Sequence, residues 1–574
     1  MKAQKTILAF VFALALLSVG RADVTFPADA PTSWDGNLAN PANWPGSTIP
    51  SSGNLIFSGF TGNLTLSDNL TLGTSFRVKG QSSVSAAFGN YALEVANGIV
   101  IGADGNAGNT LNLTSGSMNG LAGVTVGSAG SSNTLRVSNP GTSLSCTNDI
   151  YVGYSGSGNV LIVTNGANLT KSAVRGNFSV GAGTINVSRD VYVGNKGSNN
   201  RMVVRNVDTA NFSGNIYVGN EAGTCGNSLL ITNVSHLTSG PIYIGYNGSA
   251  FCTGEVYLAS SDSSAWPTFT VGNAASSTNC YLLVDGGGNS RTVSGGPFSN
   301  FTLKRTANTV ELRNMTMTYG SGQTIDAASC TNAQYVIGKG ATVISTATGS
   351  SVAFQNCAPG FGLMIDGGCA VFSNKSVNIS GDAFRMNVLS GGEVAFSNFT
   401  CNARNVDITI SNATVRASGT VNMPDNTLDG WATNIVLRFV GTSPRLTSGI
   451  FYQLTKGNAG IASDDNKTGV VFDFVLPENG YEAVPFETEK TIYMLGKYCK
   501  IRVDASAYRG DRRWMPLMRS NNNTIEIKLP EAELCADFPN SPELTVRHRI
   551  VAVDGAKELQ IQVRRPEGLI MVYR

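Results

Sequence analysis

Charge is what this sequence has least of. Asp, Glu, Lys and Arg make up 14% of its 574 residues, against about 25% in ordinary soluble domains. Lys, Glu and Arg populate exposed helix faces, so their scarcity excludes a mostly helical protein or a coiled coil. The 40 basic and 38 acidic residues nearly cancel, leaving a net charge of +2. No field that would attract nucleic acid is expected from that balance. Histidine occurs twice, at His236 and His548, and no C-x-x-C pair exists among the ten cysteines. A structural zinc site or a His-based metal centre is therefore not expected, and no cofactor is implied. Long apolar runs are missing too, apart from Thr6 to Val19. No transmembrane segment is expected once that run is removed.

The run belongs to an amino terminus built like a secretory signal peptide. Lys2 and Lys5 precede it, and Gly20 and Ala22 place small residues before Asp23, which predicts cleavage after residue 22. The mature protein is expected to be secreted or held on the outer cell surface, where disulfides are permitted.

What fills the space instead is Gly, Ser, Thr, Asn and Val. There are 66 glycines, and hydrophobic residues reach 42%, enough apolar surface to rule out wholesale disorder. The dominant signal is internal repetition. Short tetrads recur as Ile99-Val100-Ile101-Gly102, Val124-Thr125-Val126-Gly127, Ile150-Tyr151-Val152-Gly153, Val191-Tyr192-Val193-Gly194, Ile216-Tyr217-Val218-Gly219 and Ile242-Tyr243-Ile244-Gly245. Their glycines lie 25, 26, 41, 25 and 26 residues apart. The long gap holds Phe178-Ser179-Val180-Gly181, read as a degenerate copy. A polar turn and a second alternating run follow each tetrad, as in Leu111-Asn112-Leu113 and Leu135-Arg136-Val137. Apolar residues at i and i+2 put two side chains on one face of a strand.

Such a unit cannot stand alone, because its few inward residues do not offset an ordering entropy of about 1–2 kcal/mol per residue. Stacking in parallel removes the difficulty by joining the inward residues into one column. The predicted fold is thus all-β: a parallel β-helix, or β-solenoid, of about fifteen coils over residues 55–430, each rising about 4.8 Å, or roughly 70 Å in all. Less regular strings, Tyr335-Val336-Ile337-Gly338 and Leu363-Met364-Ile365-Asp366 among them, are read as its continuation with drifting coil length. Residues 23–54 read as a leader or cap. A quarter of residues 431–574 are charged (19 basic, 17 acidic), against under a tenth before them. That segment is either a β-rich cap on the open end or a separate small β-domain.

The unit from Ile150 to Leu169, together with the opening Trp34-Asp35-Gly36, Ala42-Asn43-Trp44 and Pro50-Ser51-Ser52-Gly53-Asn54, resembles the autotransporter-associated and PEP-CTERM-associated β-strand repeat proteins of bacteria. The resemblance covers about residues 30–290. It implies an exported parallel β-solenoid at or beyond the outer envelope, and it carries no catalytic residues. The sequence departs from the family in having no Pro-Glu-Pro sorting tail. Its last 144 residues are also too few for a barrel of about twelve membrane strands.

Cysteine spacing supplies the candidate site residues. Cys225, Cys252 and Cys280 are 27 and 28 residues apart, and Cys330 and Cys357 are 27 apart. Those intervals match one coil, and adjacent rungs lie within disulfide reach. Cys330–Cys357 and one of the two pairs sharing Cys252 are predicted staples, with buried reduced thiols as the alternative. Stacked turn asparagines are expected to form amide ladders.

Catalytic patterns are thin. Asp464-Asp465 is the one fragment shared with pectin-cleaving β-helices, and adjacent carboxylates in a polar turn do not meet the separation that glycoside cleavage needs. His236 reads as a turn residue, and Arg509-Gly510-Asp511 as a charged loop. The functional expectation is an exported, non-enzymatic solenoid serving structure, adhesion or display, with an envelope or extracellular polysaccharide or protein as partner. The alternative is a carbohydrate-binding or polysaccharide-degrading β-helix with a diverged site.

Overall fold

A computed structural model describes residues 23–564 except 33, 149, 165–166, 172–173, 177, 182–183, 259–265, 294, 347–350, 424–433, 454–469, 495–499, 523 and 528–544. The expected signal peptide, Asp464-Asp465, Cys499 and Cys535 lie outside the described residues. No described helix is long and apolar enough to cross a membrane. The fold is a parallel β-solenoid of about fourteen turns. It divides into two compact units, Met1–Phe269 with Asn273–Cys280, and Thr270–Gly272 with Tyr281–Arg574.

In the first unit the tetrads form one sheet of short parallel strands. Ile99–Ile101, Val124–Val126 and Ile150–Val152 pair residue for residue, as do Val191–Val193, Ile216–Val218 and Ile242–Ile244. In each, the first and third residues are buried and the middle one faces outward. The second runs build the other walls: Leu111 and Leu113 stack on Leu135 and Val137, and those on Leu161 and Val163, all fully buried. The degenerate copy sits elsewhere than its string suggested. Val174–Gly176 takes the tetrad place between Ile150–Val152 and Val191–Val193, while Phe178–Gly181 pairs with second-run strands. This winding has lost most of its turn residues, which brings the two strands close together in sequence and hides the phase.

The leader closes the amino-terminal end with aromatic rings. Phe26 lies 4.4 Å from Trp34, 5.9 Å from Trp44 and 5.6 Å from Phe57 between ring centres. The buried Trp44 donates Nε1–H to the Leu38 carbonyl at 3.0 Å. Asp35 holds the loop by accepting from the Asn37 N–H and the Asn43 amide, and those bonds keep its carboxyl below the usual carboxylate range.

The second unit keeps short strands such as Phe301–Leu303, Gln323–Asp326 and Thr342–Ser345 at first, and from Cys369 they give way to long ones, Cys369–Leu389 and Glu393–Ser411, paired along their length. Tyr335-Val336-Ile337 pairs with Val310–Leu312 and Leu363–Ile365, so it continues the second-run wall and not the tetrads. The compositional shift at 431 leaves the ladder unchanged. Asn434–Val440 stacks in parallel on Asn405–Ser411, and parallel pairing continues to Thr524–Ile527. Antiparallel order begins only where Met515–Ser520 meets Ala556–Arg564, which pairs in turn with Thr545–Val553.

Candidate functional site

Three groupings of polar side chains stand out, and each grows from the repeat. The first is internal. The residue before each second-run strand points into the column, and in the first unit it is mostly asparagine. Asn109 sends its N–H and Nδ2 to Asn133 Oδ1 at 3.0 and 2.8 Å, and Asn133 repeats both bonds to Asn159 at 3.0 and 2.9 Å. Further along, the Asn200 N–H reaches Asn227 Oδ1 at 2.9 Å. All five are fully buried. This is the expected amide ladder, and it explains the tetrad glycines. Gly102, Gly127 and Gly194 adopt φ of 71°, 67° and 72°, and a Cβ on them would strike the amides of Asn133, Asn159 and Asn227. Only glycine meets both conditions.

Two cysteines occupy the next rungs. Cys252 packs against Gly219 and Cys280 against Gly245, in the positions the amides hold lower down. The eight described cysteines are all free thiols. Cys252 and Cys280 are buried neighbours; the hydrogen bond between them, with burial adding to it, raises the Cys252 pKa, and the same bond lowers that of Cys280. Cys225 is exposed, and its backbone bridges Ala250 instead of Cys252. The predicted Cys330–Cys357 staple is not formed. The register Gln334↔Gly362, with matching turn bonds Ala333 N–H to Cys330 O and Phe361 N–H to Ala358 O, sets Cys330 against Ala358. Spacing of 27 residues gave the coil but missed this one-residue offset.

The second grouping is an outward tyrosine stack on the tetrad sheet. Tyr192, Tyr217 and Tyr243 lie ring on ring at 4.9 and 5.1 Å, tilted 14° and 7°. Tyr246 sets its ring edgewise against Tyr217 and Tyr243 at 4.7 and 5.0 Å. Asn215 Nδ2 donates to the Tyr217 hydroxyl at 2.8 Å; burial nonetheless raises that phenol's pKa. Sugar platforms offer a free ring face. Here Tyr217 has a ring over each face.

The third is a groove of about 640 Å³ in the second unit, lined by Asp285, Glu311, Arg313, Asn314, Lys339 and Asp366 among others. It lies where Gly286, Gly287 and Gly288 bulge out between Asp285 and Asn289, which pair with Arg313 and Met315. Two of its three carboxylates are committed. Glu311 accepts from the Tyr281 hydroxyl and from Arg313 Nε, both at 2.5 Å. Asp285 accepts from the Gly287 N–H at 2.9 Å and Asn314 Nδ2 at 2.7 Å. Asp366 is exposed at the rim. The lining mixes donors and acceptors of both charges and can meet hydroxyl-rich ligands by hydrogen bonding. No aromatic ring lines it. Sequence reasoning missed the groove, because its residues are singletons on successive windings; the Gly286-Gly287-Gly288 run was the available signal.

His236 sits at an exposed position within the strand Ser228–Ser239, paired with Thr209, and not in a turn. The Arg509-Gly510-Asp511 loop is closed on itself: Arg509 Nη1 donates to the Ser506 and Tyr508 carbonyls, and Asp511 lies 3.6 Å from Arg513 Nε. Among the described residues no cluster of His, Cys, Asp or Glu is arranged to hold a metal ion. No protein-family model matches the chain, and no curated protein matches it.

Proposed function

We propose that the chain is an exported, non-enzymatic β-solenoid that serves a structural, adhesive or display role at the cell surface, as its resemblance to autotransporter-associated repeat proteins implies. The observation that carries this reading is the direction of the polar bonds. Glu311 accepts from Tyr281 and Asp285 from Asn314 one winding away, Tyr217 is stacked between Tyr192 and Tyr243, and the buried asparagines bond to one another. A surface whose reactive groups brace the scaffold suits a rigid spacer. Fractionation of the native cell tests it. The protein is expected in the envelope or medium, and recovery from the cytoplasm would refute it.

One observation favours a second reading, a carbohydrate-binding solenoid: the groove around Glu311 and Asp366 combines carboxylates with Arg313 and Lys339. Incubation with polyuronides and neutral glycans separates the two. Chain shortening, or micromolar binding lost in Asp366→Ala, would establish the second.

A further inference from the structure

The last hairpin leaves an edge that no described residue covers. Thr545–Val553 and Ala556–Arg564 are joined by Asp554 and Gly555, both at positive φ (50° and 79°), the two-residue turn whose twist suits a hairpin. Ala556–Arg564 pairs on its far side with Met515–Ser520, whereas Thr545–Val553 has no second neighbour among the described residues. In such a turn the flanking residues Val553 and Ala556 bond each other. Every second residue back from there (Ala552, Ile550, His548, Val546) therefore turns its N–H and C=O away from the hairpin. Natural edges are blunted by charged side chains, proline or a bulge, and Arg547 and Arg549 here repel a basic strand while leaving an acidic one free to add. This strand, TVRHRIVAV, has no proline, and its pairing runs without a register shift.

The side chains beside that edge are sorted by sign and polarity. Arg547 and Arg549 share one face, opposite Gln562 and Gln560. Arg549 lies 4.2 Å over the Trp514 ring and holds Gln560 Oε1 at 2.7 Å. Glu558, the carboxylate on that face, is taken by Arg519 at 3.0 Å. The opposite face presents Val546 and Ile550, the latter 42% exposed.

We infer that Thr545–Val553 is a docking edge for an extended segment of a partner protein, which adds as a further strand and alternates carboxylates with apolar side chains. Backbone bonds along the edge supply affinity, and the two faces supply selectivity. A second copy of the chain is disfavoured, since like charges across paired strands destabilise them. The inference is independent of the surface-display reading, because a carbohydrate-binding solenoid could be held by the same edge.

The test titrates the full chain with a fluorescent nine-residue peptide alternating Glu and Val, and with its Lys–Val counterpart. Saturable binding of the Glu peptide is expected, with the Lys peptide weaker by about ten-fold. His548→Pro removes an outward donor without touching the bonds to Ala556–Arg564, and should weaken binding about ten-fold at an unchanged melting temperature. Arg547→Glu leaves the backbone intact and should shift preference toward the Lys peptide. Equal binding of the two peptides, indifference to both substitutions, or a homodimer that His548→Pro dissolves would overturn the inference.

Discussion

Replacing Asn133 by alanine probes the internal ladder where it is most completely bonded. The amide is fully buried, and its Oδ1 is the acceptor for two Asn109 donors while its own N–H and Nδ2 both serve Asn159. Asn133→Ala therefore strands two donors below it and removes one bond above. An orphaned buried donor costs about 1–3 kcal/mol. Asn109 Nδ2 has a fallback at the Ala107 carbonyl, 3.4 Å away, but the Asn109 N–H has none in the structure. The net loss should be about 2–4 kcal/mol. Asn97→Ala is the control: its exposed amide reaches the Gly73 carbonyl at 3.0 Å, and its removal should cost no more than about 0.5 kcal/mol. Urea unfolding at a slope of about 2–3 kcal/mol/M would register the first as a midpoint lower by about 1 M. Equal midpoints for the two variants would refute the ladder as a source of stability.

A turn glycine and a tetrad glycine should separate by what faces them. Gly223→Ala, at φ 80° in open space, should cost about 1 kcal/mol, and Gly127→Ala, which meets the Asn159 amide, at least about 3 kcal/mol; melting temperatures decide. Burial pushes the Cys357 and Cys401 thiols up to about 12. Unfolded thiols ionise near pH 8.5, so the folded state binds more protons between those values. Stability should be full below about pH 8.5 and fall toward pH 12 by about 1.4 kcal/mol per pH unit for each thiol. Urea midpoints at pH 8 and pH 10.5 check this, and equal values contradict it. Native alkylation should label the exposed Cys225 and spare Cys330, Cys357 and Cys401, as peptide mass mapping would show. Arg438→Ala should destabilise by about 2–3 kcal/mol in a melt, because the buried Asp473 carboxylate, 2.9 Å from that guanidinium, would lose its partner.

The solenoid was legible in the sequence because its inward residues repeat with the glycine that ends each tetrad. Gly102, Gly127 and Gly194 are sequence marks of a steric condition set one winding away, and the asparagine rungs share that period. Where the condition lapses, legibility lapses with it. Tyr335–Ile337 ends in Gly338 and so resembles a tetrad, yet no amide of the ladder packs on that glycine, and the strand belongs to another wall. The charge-rich stretch from 431 left a cap and a separate β-domain both open, because added charge changes the composition without touching the inward alternation. Ile435, Leu437 and Phe439 remain inward and buried on Val406, Ile408 and Ile410. The groove was invisible because Asp285, Glu311, Lys339 and Asp366 are brought together by register and share no motif.

The claim beneath all of this is that residues one winding apart touch. Nuclear Overhauser measurements on asparagine- and tyrosine-labelled protein address it directly. Cross-peaks are predicted from the Asn133 side chain to the Asn109 N–H, 24 residues away, and from the Tyr217 ring to both Tyr192 and Tyr243. Their absence in folded protein, with each ring seeing only its sequence neighbours, would contradict the account.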